Sequence, residues 1–289
     1  MEKRESIKVK SITLVVTHQC NLRCIYCYEK HKDNNVMSFD TAIKIIEKEM
    51  NLDDGIETIE FDFFGGEPLL EFDLIKSIIE YVKTKEYKKS FIFFITTNGV
   101  LLNKERKAWL KENTDILQMA LSYDGTNLMQ DINRNNSSSL IDIKFFEETY
   151  PLQGFKMTVS DKTLPNLAEG VMYLENFNLE ISCNLAYGID WNKKENEEIY
   201  ERELMKLINH YLSHPEIKPC ALLDIKRLKG LMFKKNITTG MFFPNCNSIH
   251  TFFMKFNIDV LYIDKNNKVL SIFELPTSKG QLKSAQIYT

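Results

Sequence analysis

Six times between residues 12 and 213, the chain sets a short apolar run of strand length before a stretch with apolar residues at helical spacing. The strand-like runs are 12–16, 56–64, 90–96, 116–122, 155–160 and 179–187. The helical stretches that follow them are 41–50, 74–82, 104–112, 142–149, 166–176 and 195–213. In 56–64, Ile59, Phe61 and Phe63 alternate with Glu60 and Asp62, the period-two pattern of a strand. In 41–50, Ala42, Ile43, Ile46 and Met50 share a helical face, and Ser38 or Asp40 is placed to cap it. The run 90–96 is apolar almost throughout, as expected of a buried parallel strand. Such alternation implies parallel strands joined by right-handed crossovers, hence an α/β fold. Functional groups in these folds collect at the carboxyl ends of the strands.

After the first run comes Cys20-Asn21-Leu22-Arg23-Cys24-Ile25-Tyr26-Cys27, three cysteines spaced C-x3-C-x2-C. Three thiolates on one tight loop suit a cubane iron–sulfur cluster, each ligating one iron while the fourth iron stays without a protein ligand. An open coordination position is where a substrate or cosubstrate can bind a metal. A structural zinc site normally takes four protein ligands and fits this spacing less well. The bland alternative is a set of packing cysteines, for which three in eight residues among polar neighbours is a poor pattern.

The second run ends at Gly65-Gly66-Glu67-Pro68, the third at Thr97-Asn98-Gly99, and the fourth at Ser122-Tyr123-Asp124-Gly125. Glycine lets backbone approach a ligand closely, which draws attention to Glu67 beside its glycine pair. The cysteine loop, with Tyr26 in the slot before Cys27, and the Gly-Gly-Glu-Pro segment together resemble the radical S-adenosylmethionine (radical SAM) enzymes. The resemblance implies a partial (β/α)6 TIM-like barrel. It implies a [4Fe-4S] cluster on Cys20, Cys24 and Cys27, with S-adenosylmethionine bound at the unique iron. Gly65, Gly66, Glu67 and Pro68 would then hold the methionyl amino group, with Tyr26 beside the adenine. Ser122 and Asp124 end a strand where related enzymes place ribose- and carboxylate-binding groups. Asn98 is a further candidate there, with turn formation as its competing role. The activity implied is reductive cleavage of S-adenosylmethionine to a 5'-deoxyadenosyl radical that abstracts hydrogen from a substrate.

Composition narrows the partners. A formal net charge of -3, with lysines and arginines scattered, gives no general pull towards nucleic acid or an anionic membrane. No apolar run approaches the roughly 20 residues of a membrane span, and the opening residues do not read as a signal peptide. Six cysteines in 289 residues are no disulfide scaffold, so a reducing, cytoplasmic setting is expected.

The alternation stops near His214-Pro215, and a domain boundary is placed at 218/219, giving 1–218 for the barrel and 219–289 for a small β-rich segment. That segment contains a hairpin pattern, 258–264 and 268–272 around Lys265-Asn266-Asn267. It resembles an uncharacterised prokaryotic family, domain of unknown function 192, through 227–232, 240–243 and 252–264. The barrel motifs look like those of the peptide and protein maturases among radical SAM enzymes, which implies a peptide or protein substrate and a flavodoxin- or ferredoxin-type one-electron reductant. Those maturases usually continue into a cysteine-rich extension holding auxiliary clusters. Here Cys183, Cys220 and Cys246 stand well apart, so they are expected to be core thiols, with no auxiliary cluster. A small-molecule or RNA substrate, and a non-catalytic iron–sulfur or peptide-binding scaffold, are the competing readings.

Overall fold

The computed structural model describes residues 8–29, 32–191 and 193–223, and beyond them the backbone of four short strands. The chain divides into two compact units, Met1–Thr163 with Glu169–Tyr187, and Leu164–Ala168 with Gly188–Thr289.

The first unit is built on a parallel sheet of β1 (Val9–Thr17), β2 (Thr58–Gly65), β3 (Ser90–Thr97), β4 (Leu117–Leu121), β5 (Gly154–Val159) and β6 (Glu180–Leu185). Their order across the sheet is their order in the chain, and the pairings are parallel. Among the described residues β6 does not return to pair with β1, so the sheet is open, a partial barrel. The connecting helices are α1 (Phe39–Asn51), α2 (Phe72–Lys83), α3 (Lys104–Lys111), α4 (Asn127–Asn133), α5 (Ile143–Thr149) and α6 (Leu167–Leu174). With strands in sequential order and crossovers of one hand, the helices fall on one face of the sheet and leave an inner face.

The burial pattern follows from this arrangement. Ile59, Phe61 and Phe63 of β2 are wholly buried, as are Phe93 and Ile95 of β3 and the α2 residues Ile75, Ile78 and Ile79. Phe93 stacks on Phe61 and Phe63, with centroids 5.6 and 5.2 Å apart. The alternate residues, Glu60 and Asp62 on β2 and Ile92 and Phe94 on β3, are only half-buried. The run 90–96 is the buried parallel strand expected of it, with one face buried at Phe93 and Ile95 and the other, half-buried, on the inner face of the open sheet.

Ser38 supplies the cap of α1, its Oγ accepting from the Thr41 amide at 3.2 Å. One element was not expected from sequence. α4 occupies part of 126–141 and is capped by Thr126; its Leu128 and Ile132 are exposed, and Gln130 and Asn133 are buried. Asn135 and Asn136 follow it in left-handed conformation, which asparagine tolerates better than most residues.

In the second unit, α7 (Lys194–Ser213) carries the buried Glu203, which accepts from the Ala168 amide at 3.2 Å and from Lys206 Nζ at 2.7 Å. Four strands follow: β7 (Ser248–His250), β8 (Ile258–Ile263), β9 (Val269–Leu275) and β10 (Ser284–Gln286). β8 and β9 pair antiparallel, the hairpin read from the sequence, and β7 pairs with β10. The segments 227–232, 240–243 and 252–256, and Cys246, lie outside the described residues. Cys183 and Cys220 are buried, as expected of core thiols.

Candidate active site

The carboxyl ends of β1 to β4 bring the sequence motifs together through backbone. Beyond Thr17 the chain runs beside the Gly-Gly-Glu segment: Gly66 N–H donates to Thr17 O at 3.1 Å and Glu67 N–H to Gln19 O at 2.8 Å. Both glycines are required by this closeness. Gly65 sits at φ 144°, and a Cβ there would lie 2.0 Å from Thr17 O. At Gly66 a Cβ would lie 2.3 Å from Gln19 O. The glycine pair thus holds the backbone that delivers Cys20.

Glu67 is buried and surrounded by donors. Its carboxylate accepts from the Leu69 amide at 3.1 Å, the Thr97 hydroxyl at 2.7 Å and the Asn98 amide at 2.8 Å. Burial pushes its pKa up from the ordinary carboxylate value, while the Asn98, Thr97 and Leu69 hydrogen bonds pull it back. Glu67 also caps the 3-10 turn Pro68–Glu71, in which Pro68 is buried at the first position. Asn98 turns the other way: Nδ2 donates to Asn21 Oδ1 in the cysteine loop at 2.8 Å, and Oδ1 accepts from the Val100 amide. Asn98 therefore serves both its own turn and the loop.

Within the loop, Cys20, Cys24 and Cys27 are free thiols of intermediate burial. Leu22 N–H points to Cys20 Sγ at 3.4 Å, and a turn closes from Cys27 N–H to Cys24 O. Burial raises the Cys24 pKa, Arg134 opposes this, and Asp124, Cys20 and Cys27 add to it. The loop is tied down at several points. Ile25 N–H donates to Asn133 O, Lys32 Nζ to Leu22 O, and His18 meets Asp33 at 2.8 Å.

The fourth strand end forms a buried clasp. Asp124, fully buried, accepts from Tyr26 Oη at 2.5 Å, from Asn133 Nδ2, from the Thr158 amide, and from Arg134 Nε and Nη2 at 2.9 and 3.1 Å. The two-point Arg134 contact is the strong, planar form of the ion pair. Arg134 also lies over the Tyr26 ring, 5.5 Å from its centroid. Burial carries the Tyr26 phenol well above its ordinary range; Arg134 opposes this and Asp124 adds to it. One carboxylate thereby joins the cysteine loop, β4, β5 and the end of α4. Ser122 is half-buried beside this clasp, its amide donating to Thr97 O at 2.8 Å.

Every sequence-derived candidate lies at this edge of the sheet. Asn133 and Arg134 were not among them. Asn133 ends a seven-residue helix and Arg134 caps it; neither stands in a motif, so no sequence spacing marked them.

The donor set agrees with the cluster suggested by the motif. Among the described residues no three His, Cys, Asp or Glu side chains converge on a site for a single ion. A cubane asks instead for one thiol at each of three separate irons, and three partly buried, uncrosslinked thiols of one loop meet that need.

Comparison with known proteins agrees with this geometry. Residues 14–139 match the model of the radical SAM superfamily, and residues 220–287 match that of an uncharacterized family, domain of unknown function 192. The uncharacterized protein MJ0907 of Methanocaldococcus jannaschii is 34% identical over 216 residues, 72% of this chain and 73% of the relative. The radical SAM cyclopropyl synthase TigE of Paramaledivibacter caminithermalis is 26% identical, over 64% of this chain and 44% of its own length. A shorter match, 34% identical over 40% of this chain and 35% of the relative, is to the GTP 3',8-cyclase of Campylobacter jejuni. Among solved structures, native anSMEcpe with bound AdoMet and Cp18Cys peptide superposes with a TM-score of 0.55 at 19% identity, over 71% of this chain and 60% of that one. The chain spans less than two thirds of the length of TigE, the cyclase and anSMEcpe. The chain belongs to the radical SAM superfamily. Membership makes it a radical SAM enzyme, a class whose cofactors are a [4Fe-4S] cluster and S-adenosylmethionine.

Proposed function

We propose that this enzyme modifies a peptide or protein by hydrogen abstraction. The observation that carries the site assignment is the backbone pairing between the Gly-Gly-Glu segment and residues 17–19, which fixes the glycine loop beside the cysteine loop. We assign Cys20, Cys24 and Cys27 as cluster ligands. Gly65, Gly66, Glu67 and Pro68 are assigned to the amino end of S-adenosylmethionine, Tyr26 to the adenine side, and Asn98, Ser122 and Asp124 to the surrounding polar shell. Bound together, the cluster and S-adenosylmethionine supply a 5'-deoxyadenosyl radical. The protein's part is to hold the loops in register and keep water from the reacting centre. Within that shell Asp124 acts through Tyr26 and Arg134, because its oxygens are already engaged by protein donors.

A peptide substrate is supported by the likeness to anSMEcpe in complex with a peptide, and a flavodoxin- or ferredoxin-type protein is the proposed electron donor. A cytoplasmic setting fits an oxygen-sensitive cluster, and no described helix is long and apolar enough to cross a membrane. The similarity to a GTP 3',8-cyclase favours a second reading, a small-molecule substrate. Anaerobic reconstitution, reduction and chromatography for 5'-deoxyadenosine test the reaction class. The same assay with peptides encoded beside the gene, and separately with GTP, tests the substrate: a mass change in a peptide supports the first reading, and turnover of GTP alone replaces it with the second.

A further inference from the structure

Strand register lines up a row of side chains across the inner face of the sheet. Thr13 of β1 pairs with Asp62 of β2, Asp62 with Phe94 of β3, and Phe94 with Gln118 of β4. Asp62 lies three residues before Gly65, about 10 Å along the strand, on the face that the helices leave uncovered. Its Oδ1 is buried and has no hydrogen-bond partner. In this Asp62 differs from Glu67 and Asp124 in the same unit, whose carboxylates are engaged by several donors each. A buried carboxylate oxygen without a partner is costly; because the side chain as a whole is only half-buried, the accessible edge of the same carboxyl group is a place for a substrate group.

The charge around it selects that group. The charged side chains that bear on Asp62 are Glu60, on its own strand and face, and Lys156 on β5. Its cross-strand neighbours Thr13 and Phe94 carry none. Burial first, and Glu60 second, raise the Asp62 carboxyl to about 6, with Lys156 opposing. A cation at the carboxylate supplies a partner that the protein does not and relieves the repulsion from Glu60. The aromatic ring of Phe94, on the adjoining strand, is itself attractive to cations. A neutral amide supplies only the first of these.

We propose that Asp62 is a specificity-determining residue that receives a cationic nitrogen of the substrate, an ammonium or guanidinium group, on the inner face of the sheet. For a peptide this means a lysine or arginine side chain or a free amino terminus, and in that form the inference rests on the proposed peptide substrate.

The test uses the full chain, cluster-loaded and labelled with aspartate carrying 13C at its carboxyl carbon. The Asp62 resonance is identified by its loss in Asp62→Asn. Its titration midpoint is followed with n-butylammonium and with the neutral N-butylacetamide as probes. The expected result is a saturable fall of the midpoint by at least about half a pH unit (a threefold change in the proton-binding constant) with n-butylammonium, little change with the amide, and the same pattern in Lys156→Met. No response, an equal response to the amide, or an ammonium response that appears only in Lys156→Met, as it would if Lys156 were the resident partner, would each overturn the proposal. Peptide turnover separates the two readings. An ammonium response without turnover of any peptide sinks the peptide substrate and leaves Asp62 as the cation site. Peptide turnover with the same KM in Asp62→Asn sinks the Asp62 role and leaves the peptide substrate standing.

Discussion

Acidic side chains of the first unit divide by how their oxygens are engaged. Glu67 and Asp124 are buried and surrounded by donors, so each fixes the segments it touches; Asp62 is left with an unpartnered oxygen. Replacing Asp124 with Asn leaves the Arg134 guanidinium buried without its counter-charge. The expected loss is about 3–5 kcal/mol, the usual consequence of breaking a buried pair, read by urea denaturation. Asp62 predicts a pH effect of definite sign. Its folded pKa, about 6, lies above the ordinary carboxylate value of 3.8, so the folded state binds the proton more tightly than the unfolded chain does. Wild-type stability relative to Asp62→Asn is therefore fully present below about pH 4 and declines as pH rises to about 6. Full linkage over about two pH units is about 3 kcal/mol, and partial exposure reduces this to about 1 kcal/mol. Denaturation series between pH 4 and 7 check it, and a difference that grows with pH contradicts it. At Cys24, substitution by alanine should remove cluster assembly and 5'-deoxyadenosine formation while the far-ultraviolet circular dichroism of the apo chain stays unchanged. Cleavage retained in that variant would overturn the ligand assignment.

At the scale of elements, the site is a set of loops held by the strands that precede them. The end of β2 and the start of the cysteine loop approach so closely that a methyl group at residue 66 meets the Gln19 carbonyl. Gly66→Ala should therefore cost about 2–3 kcal/mol, the upper range for forcing an extra carbon into a filled space, and should weaken iron retention even though no ligand is changed. Iron content per chain after gel filtration measures the second effect. Most strands and helices were legible because each carries its own hydrophobic run or period over about five or more residues. α4 was not legible, because in its seven residues Leu128 and Ile132, one helical turn apart, stay exposed while the polar Gln130 and Asn133 are buried. Its place is set by tertiary bonds, Ile25 N–H to Asn133 O and Arg134 to Asp124.

For the molecule as a whole, the cysteine loop, the glycine segment, the Asn98 turn and the Asp124 clasp belong to one cooperative unit. A ligand that binds only the assembled loops stabilises the folded state by mass action. Loading the cluster should thus raise the thermal midpoint of the wild-type chain by several degrees, since about 1 kcal/mol corresponds to a few degrees in a domain of this size. The shift should vanish in Cys20→Ala and Cys27→Ala. Anaerobic calorimetry of apo and loaded protein decides it, and an equal shift in the variants would place the iron elsewhere.

The sequence by itself determined the α/β class, the six strand–helix units, the cysteine and glycine motifs and their positions at strand ends. These depend on local periods and on residues adjacent in the chain. Tertiary structure alone decided which polar groups are engaged by the protein. The period-two pattern of 59–63 sets Asp62 on the face opposite Phe61 and Phe63, but nothing near Asp62 or Asp124 in sequence marks which of them the protein surrounds with donors. Arg134, Asn133, Tyr26 and Thr158 converge on Asp124 from three other segments, while the row through Thr13 and Phe94 leaves Asp62 a buried oxygen with no partner. Hydrogen bonding and desolvation depend on what the folded chain brings within about 3 Å, and such distances between remote segments are not written in local order.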